Sequence, residues 1–293
     1  MRHAFAIVAA GLALATSART QDISANVVPI QITGDASSRF SLVVLGDGYL
    51  ASERDKFRAH LDRHLNILWS IEPFRSYRNY FNVYAVEIAS QQSGIDCDPE
   101  IRERRTTPLR LQFDGGCTNI NARGVTVAAQ AESIVQGYAE RATPTPSQIL
   151  IIGNSSTYGG IGGRFATTTG GNALSPLITP HELGHSLGGL LDEYTYTARG
   201  KPGGSYDGGE PATIHMTTLA EDDMRARQQK WWQWLGEVSE SGGRIARFEG
   251  GSGYTKDIWR PSRHSMMISL GYYFDQVSRE RLAERIALSL IHI

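Results

Sequence analysis

The sequence predicts an α/β (α+β) fold with helices packed on a mixed, twisted sheet. Three observations lead there. Short apolar runs suited to buried strands, Ser41 to Leu45, Phe81 to Ile88 and Gln148 to Ile152, are separated by segments of helical periodicity. The 293 residues are 41% hydrophobic and 20% charged, which is enough to fill a sizeable core in one large domain or two small ones. No repeat of fixed period and no low-complexity tract points to a solenoid or a disordered chain.

Charge excludes other classes. With 29 Lys and Arg against 30 Asp and Glu, the formal net charge is -1, so nothing draws the chain to nucleic acid or to an anionic membrane. The cluster Arg102, Arg104 and Arg105 reads as a solvated loop.

At the N-terminus, Arg2, the apolar stretch Ala4 to Ala15 and the small residues Thr16, Ser17 and Ala18 have the three-part form of an export signal. Residues 1–18 are expected to be removed after Ala18, because roughly 12 apolar residues fall short of the roughly 20 that span a bilayer. The remaining chain, 19–293, is expected to be soluble in a periplasm or outside the cell. Cys97 and Cys117, the two cysteines, are then expected to form a disulfide. It closes a loop of roughly 20 residues, worth about 3 kcal/mol in the chain-entropy picture. A metal pair is disfavoured, since the spacing is not C-x-x-C and no histidine lies nearby.

The first strand, Ser41 to Leu45, ends in Gly46-Asp47-Gly48, and a helix follows in which Ser52 and Asp55 make a capping-box pattern and Phe57, Leu61, Leu65 and Leu68 recur at helical spacing. His60 and His64 share one face of that helix, but no acid completes a ligand set, so they read as structural histidines. After the strand Phe81 to Ile88, the polar stretch Ala89 to Arg123 is expected to be a surface excursion held by the disulfide. Val125 to Glu140 is expected to be a helix and Gln148 to Ile152 a buried strand. The glycine-rich segment Tyr158 to Gly163 matches neither nucleotide fingerprint and is read as a flexible turn that lets backbone approach a ligand, before an edge strand over Arg164 to Thr169. Further on, Trp231, Trp232 and Trp234 form the apolar face of a helical stretch that packs into a core.

The chemistry lies in the run HELGHSLGGLLDEY, residues 181–194. His181 and His185 are one helical turn apart, so both imidazoles project from one face where a single zinc ion can bridge them. Glu182, next to the first histidine, is placed to act as general base without being a ligand. Chance produces H-E-x-x-H in roughly one such chain in a hundred, and here the flanking Leu183, Leu187, Leu190 and Leu191 make the segment a buried helix that two glycines end. A catalytic zinc needs a third protein ligand. Ten residues after His181, where a third histidine would stand in H-E-x-x-H-x-x-G-x-x-H, this chain has Leu191. If Gly189 makes the turn, Asp192 falls three residues later and becomes the expected third ligand. Glu193, or a later Glu from another helix, is the alternative. The acid that is not a ligand is expected to support the site or to tie down the helix end.

The same run, together with VVLGDGYLASERDKF (43–57), EPFRSYRNYFNVYAVEIASQQSGID (72–96) and STYGGIGG (156–163), resembles the family of secreted bacterial zinc metallopeptidases named after an immunoglobulin A peptidase. The likeness spans roughly residues 40 to 290. It implies a zincin-like fold with a backing helix, an active-site helix and a smaller C-terminal subdomain, divided near 19–189 and 190–293. It also implies His181 and His185 as zinc ligands, Glu182 as base, Asp192-Glu193-Tyr194 as the third-ligand segment, and Gly46 to Tyr49 and Ser93 to Asp96 as family signatures. Arg260 to Met267 resembles the segment that follows the catalytic helix, where Met266 or Met267 supplies an apolar floor beneath the metal, the methionine turn. Tyr194 and His264 are further candidates for stabilising an oxyanion.

The expected function is therefore a secreted zinc metalloendopeptidase acting on protein or peptide substrates, with Glu182 as base and the Arg164 to Thr169 edge pairing with extended substrate. The alternative is a non-catalytic, zinc-stabilised binding or scaffold protein whose site is closed by both Asp192 and Glu193. An exopeptidase lacks a visible motif for a substrate terminus.

Overall fold

The computed structural model describes residues 24–199 and 203–291. The expected export signal, 1–18, lies outside the described residues. In chain order the elements are β1 (Ala25–Gln31), β2 (Phe40–Asp47), α1 (Arg54–Leu68), the one-turn α2 (Phe74–Tyr77), β3 (Phe81–Ile88), β4 (Leu111–Phe113), β5 (Val125–Val127), α3 (Glu132–Glu140), β6 (Gln148–Gly153), β7 (Gly160–Gly162), β8 (Ala166–Thr169), α4 (Ser175–Ser186), α5 (Glu221–Arg227), β9 (Phe248–Gly251), β10 (Tyr254–Arg260) and α6 (Gln276–Ile291).

Six strands form the main sheet in the order β1-β3-β2-β6-β8-β7, and the expected mixed α/β architecture is what the chain adopts. The four inner strands run parallel, and β1 and β7 close the two edges antiparallel. Period-two alternation explains why β2, β3 and β6 are rich in apolar residues: each contributes to two cores. On one face Leu42, Val44, Val83, Leu150 and Ile152 meet Phe57, Leu61, Leu65 and Leu68 of α1, Leu183 of α4, and Leu282 and Ile286 of α6. On the other, Val43, Leu45, Ile149 and Ile151 meet Val135 and Ala139 of α3 together with Leu109, Leu111 and Phe113. Among the described residues no helix is long and apolar enough to cross a membrane.

Several local expectations are corrected. The stretch 89–123 is not a surface excursion: Ile95, Leu109, Leu111 and Phe113 are buried, and β4 pairs with β5 to cover the second face of the sheet. Its polar residues conceal that role because they bond inward. The Cys97–Cys117 disulfide is present, with the Cα atoms 5.0 Å apart. Val125 to Val127 is that hairpin's second strand, so the helix starts only at Glu132. Ahead of α1 the Ser52 and Asp55 box does not form. Glu53 takes its place, accepting the Leu50 amide at 2.9 Å after a 3-10 turn over Ala51–Glu53. The glycine-rich segment supplies edge strand β7, and β8 is interior, flanked by β6 and β7. The histidines of α1 are structural: His60 bonds the Tyr49 hydroxyl and His64 the Thr179 hydroxyl. Trp231 is fully buried in a small cluster with Met224, Ile245 and Val277, as expected of core packing, although the segment is a 3-10 turn.

The two signature segments find a physical account here. Asp47, fully buried at the end of β2, accepts the Leu109 and Leu111 amides at 2.9 and 3.0 Å and the Thr107 hydroxyl at 2.9 Å, so it pins the 89–123 stretch to the sheet. The Gly94 amide donates to the Gly48 carbonyl at 2.9 Å, docking one signature on the other. Asp98 continues the network by accepting the Ser155 and Thr157 hydroxyls.

Burial pushes the Asp47 carboxyl up to about 6, although the Leu109 and Leu111 amides and Thr107 oppose the rise. The folded chain thus holds this proton more tightly than the unfolded chain. The corresponding stability is complete below the unfolded value near 3.8 and is lost as pH rises through about 6. Asp47→Asn removes the titration. Urea unfolding at pH 4 and pH 7 should therefore show the wild type losing on the order of 3 kcal/mol more than the variant over that interval. Parallel pH profiles for the two proteins would contradict this.

Candidate metal centre

Helix α4 follows β8 directly and lies against β7 and β8, with the Ser175 hydroxyl at its start paired to Thr169 Oγ1 at 2.7 Å. One turn apart on it, the His181 and His185 rings stand edge to face with centroids 4.9 Å apart. Each ring is fixed through Nδ1: His181 to the Met266 carbonyl at 3.0 Å, His185 to the Leu190 carbonyl at 2.6 Å. A carbonyl only accepts, so Nδ1 carries the proton in both rings and each Nε2 lone pair is left to face the other. The two Nε2 atoms are 3.3 Å apart.

The helix ends at Ser186, and Gly189 makes the turn that follows at φ +63°, a backbone conformation that glycine adopts without a side-chain penalty. The Leu190 amide then donates back to the Gly184 carbonyl at 3.1 Å, which reverses the chain toward the histidines. Asp192 arrives with Oδ1 at 3.1 Å from His181 Nε2 and 3.3 Å from His185 Nε2. Zinc with bonds of about 2.0–2.1 Å in tetrahedral geometry requires ligand atoms about 3.3 Å apart, so this triangle has the dimensions of one face of a zinc site. Asp192 Oδ1 is buried and has no hydrogen-bonding proton directed at it. Three acceptors crowded this closely repel one another unless a positive charge joins them. The titration behaviour shows the same demand for positive charge beside the carboxylate. Burial opposes charge on both partners, yet the histidines hold the Asp192 carboxyl well below the usual range and Asp192 raises His185. The residues present therefore fit a divalent metal.

Glu182 is buried beside the triangle and outside it, with Oε2 4.0 Å from His185 Nε2. Burial raises its carboxyl above the ordinary range, His181 and His185 pull it down, and the Gly162 amide donates to it. Strand β7 comes this close because it is bare: a Cβ on Gly160 would lie 3.1 Å from Glu182 Oε1, and one on Gly162 2.3 Å from His185 Cβ.

Glu193, the alternative ligand, turns away from the histidines and accepts the Ser265 hydroxyl at 2.5 Å. Burial first, and then Asp275, lifts it well above the usual carboxylate range. The Tyr194 hydroxyl donates to Asp192 Oδ2, which makes it a holder of that carboxylate. His264 stacks on Tyr272 at 5.1 Å. Met266 and Met267 are both fully buried, and it is the Met267 sulfur that faces Gly184 of the helix, while Met266 contributes its carbonyl to His181.

Sequence reasoning missed His215. Fully buried, it bonds the Leu191 backbone through Nε2, accepting from the amide at 3.1 Å or donating to the carbonyl at 3.0 Å, and Thr213 through Nδ1 at 2.8 Å. It braces the residue before Asp192 from 24 positions away, and no spacing rule announces that. The alternate glycines 160 and 162 were a legible signal, because period two is strand spacing with one bare face.

The family model described as IgA Peptidase M64 matches residues 28–242, well over half of the chain. The span includes His181, Glu182, His185 and Asp192 and ends before Ser265 to Met267. No curated protein matches the chain.

Because the Gly162 clash involves His185 Cβ and the Glu182 backbone, no rotamer change relieves it. Gly162→Ala should cost about 1–3 kcal/mol. Gly163→Ala, which meets nothing within 4 Å, should stay within about 0.5 kcal/mol of wild type. Thermal unfolding followed by circular dichroism measures both, and equal melting temperatures would refute the close-approach argument.

Proposed function

Since the chain belongs to the IgA peptidase M64 family and is a peptidase acting on protein or peptide substrates, we propose that it is a secreted zinc metalloendopeptidase whose zinc would be held by His181, His185 and Asp192. The observation that carries the zinc assignment is the triangle of 3.1, 3.3 and 3.3 Å among two lone-pair nitrogens and one carboxylate oxygen. When bound, the ion would supply positive charge to polarise the scissile carbonyl and to acidify water.

The chain's own residues do the rest. Glu182 takes a proton from the attacking water as its oxygen bonds the carbonyl carbon. It then delivers that proton to the amine nitrogen as the C–N bond breaks. Its burial and raised carboxyl suit it to hold a proton between the two events. Gly162, through its amide, keeps the carboxylate aimed at the site. Strand β7 has no strand on its outer side among the described residues, although its Gly160 amide already donates to the Arg123 carbonyl at 2.9 Å, and its remaining edge is the one proposed to take an extended substrate. The two subsidiary regions, 19–189 and 190–293, then meet at the Gly189 turn. The Cys97–Cys117 disulfide supports an extracytoplasmic location. The scaffold alternative needs both Asp192 and Glu193 on the metal, and the bond of Glu193 to Ser265 speaks against it.

Casein incubated with the purified mature protein should be cleaved, cleavage should stop with a zinc chelator, and zinc should restore it. Glu182→Ala should retain zinc and lose about 10²–10⁴-fold in kcat. A Glu182→Ala protein that cleaves at the wild-type rate would overturn the mechanism.

A further inference from the structure

The inference concerns Glu193 and rests on the metallopeptidase reading above. A fully buried carboxylate next to a metal-facing aspartate, turned away from the metal, asks what it holds instead. Three hydrogen bonds answer. The Ser265 hydroxyl donates to Glu193 Oε2 at 2.5 Å, the Met267 amide donates to that same Ser265 Oγ at 3.2 Å, and the Glu193 amide donates to the Met267 carbonyl at 2.9 Å. Between Ser265 and Met267 stands Met266, whose carbonyl fixes His181 through Nδ1 at 3.0 Å. One residue before Glu193 stands Asp192, whose Oδ1 lies 3.1 Å from Nε2 of that same histidine.

The two sides of the His181 ring are therefore governed from two chain segments some 70 residues apart, the 192–194 run and the 265–267 turn, and Glu193 joins them; its separation from Ser265 is 72 positions. We propose that Glu193 is a positioning residue: by locking the 265–267 turn to the Asp192 segment it sets the orientation of His181, and through it the affinity of the site for zinc. Ser265 is the other half of the lock. The outer hydrogen bond of a ligating histidine orients the ring and fixes its tautomer, and loss of such partners weakens metal sites by about 10–100-fold. Asp275, buried just before α6, accepts from the Ser262 hydroxyl and the Ser278 amide and so ties the chain leading into the turn to that helix.

The test is zinc affinity, measured by competition against a chromogenic chelator, together with the visible spectrum of the cobalt(II)-loaded protein. Glu193→Ala should weaken zinc binding by about 10–100-fold and alter the cobalt spectrum. Glu193→Gln, whose amide oxygen still accepts from Ser265, should restore both. Ser265→Ala removes a single hydroxyl and should reproduce the loss. If Glu193→Ala does not fold, Ser265→Ala carries the test alone. Combined, Glu193→Ala and Ser265→Ala should lose no more than the larger single effect, because both break one link. Wild-type affinity and spectrum in the single variants, or strictly additive losses, would overturn the proposal. Asp192→Ala in the same titration separates the two claims. If it abolishes binding while Glu193→Ala and Ser265→Ala do not weaken it, only the positioning role fails; if wild type itself binds no zinc, the metallopeptidase reading fails and takes this role with it.

Discussion

His181 Nε2, His185 Nε2 and Asp192 Oδ1 are held 3.1 to 3.3 Å apart, and the rest of the molecule can be understood as what keeps them there. Left alone, such an arrangement is repulsive in a partly buried site. It persists because each member is fixed from behind by a further hydrogen bond. The Met266 carbonyl holds one ring and the Leu190 carbonyl the other, while Tyr194 holds the carboxylate. A metal bound there would meet a site already ordered by the fold.

That scaffold is drawn from most of the chain. The parallel sheet presents β8 and then α4, and α1 packs alongside through His64 and Thr179. From the opposite end, the β9–β10 hairpin supplies amides from Ser252 and Gly253 to the carbonyls of Asp192 and Tyr194 at 2.7 and 3.0 Å. The 192–194 segment is thus clamped between that hairpin and the 265–267 turn. Both lie beyond residue 242, where the family match ends, so the part of the chain with no match contributes directly to the geometry of the matched part.

What was legible in the sequence follows from the range of the interactions concerned. The helix carrying His181 and His185, the glycine turn and the arrival of Asp192 lie within a dozen residues, and local geometry suffices to read them. Strands β2, β3 and β6 were legible because burial on both faces leaves an apolar run, whereas the threonine-rich β8 was read as an edge. The 89–123 stretch was misread because its cohesion comes from polar side chains satisfied inside, with Asp47 binding backbone more than 60 positions away. Edge strand β7 was misread as a turn because glycine at alternate positions lowers strand propensity, whereas here the missing side chains are what lets the strand reach Glu182. His215, Ser265 and the orientation of Glu193 depend on contacts across 24 to 85 residues, for which one sequence has no periodicity to offer.

The central claim, that His181, His185 and Asp192 together form one zinc site, is tested most directly by diffraction from zinc-loaded crystals at wavelengths on either side of the zinc absorption edge. The account predicts one anomalous peak enclosed by His181 Nε2, His185 Nε2 and Asp192 Oδ1, with Glu193 still bonded to Ser265. A peak ligated by Glu193 in place of Asp192, or no peak between the two histidines, would contradict it.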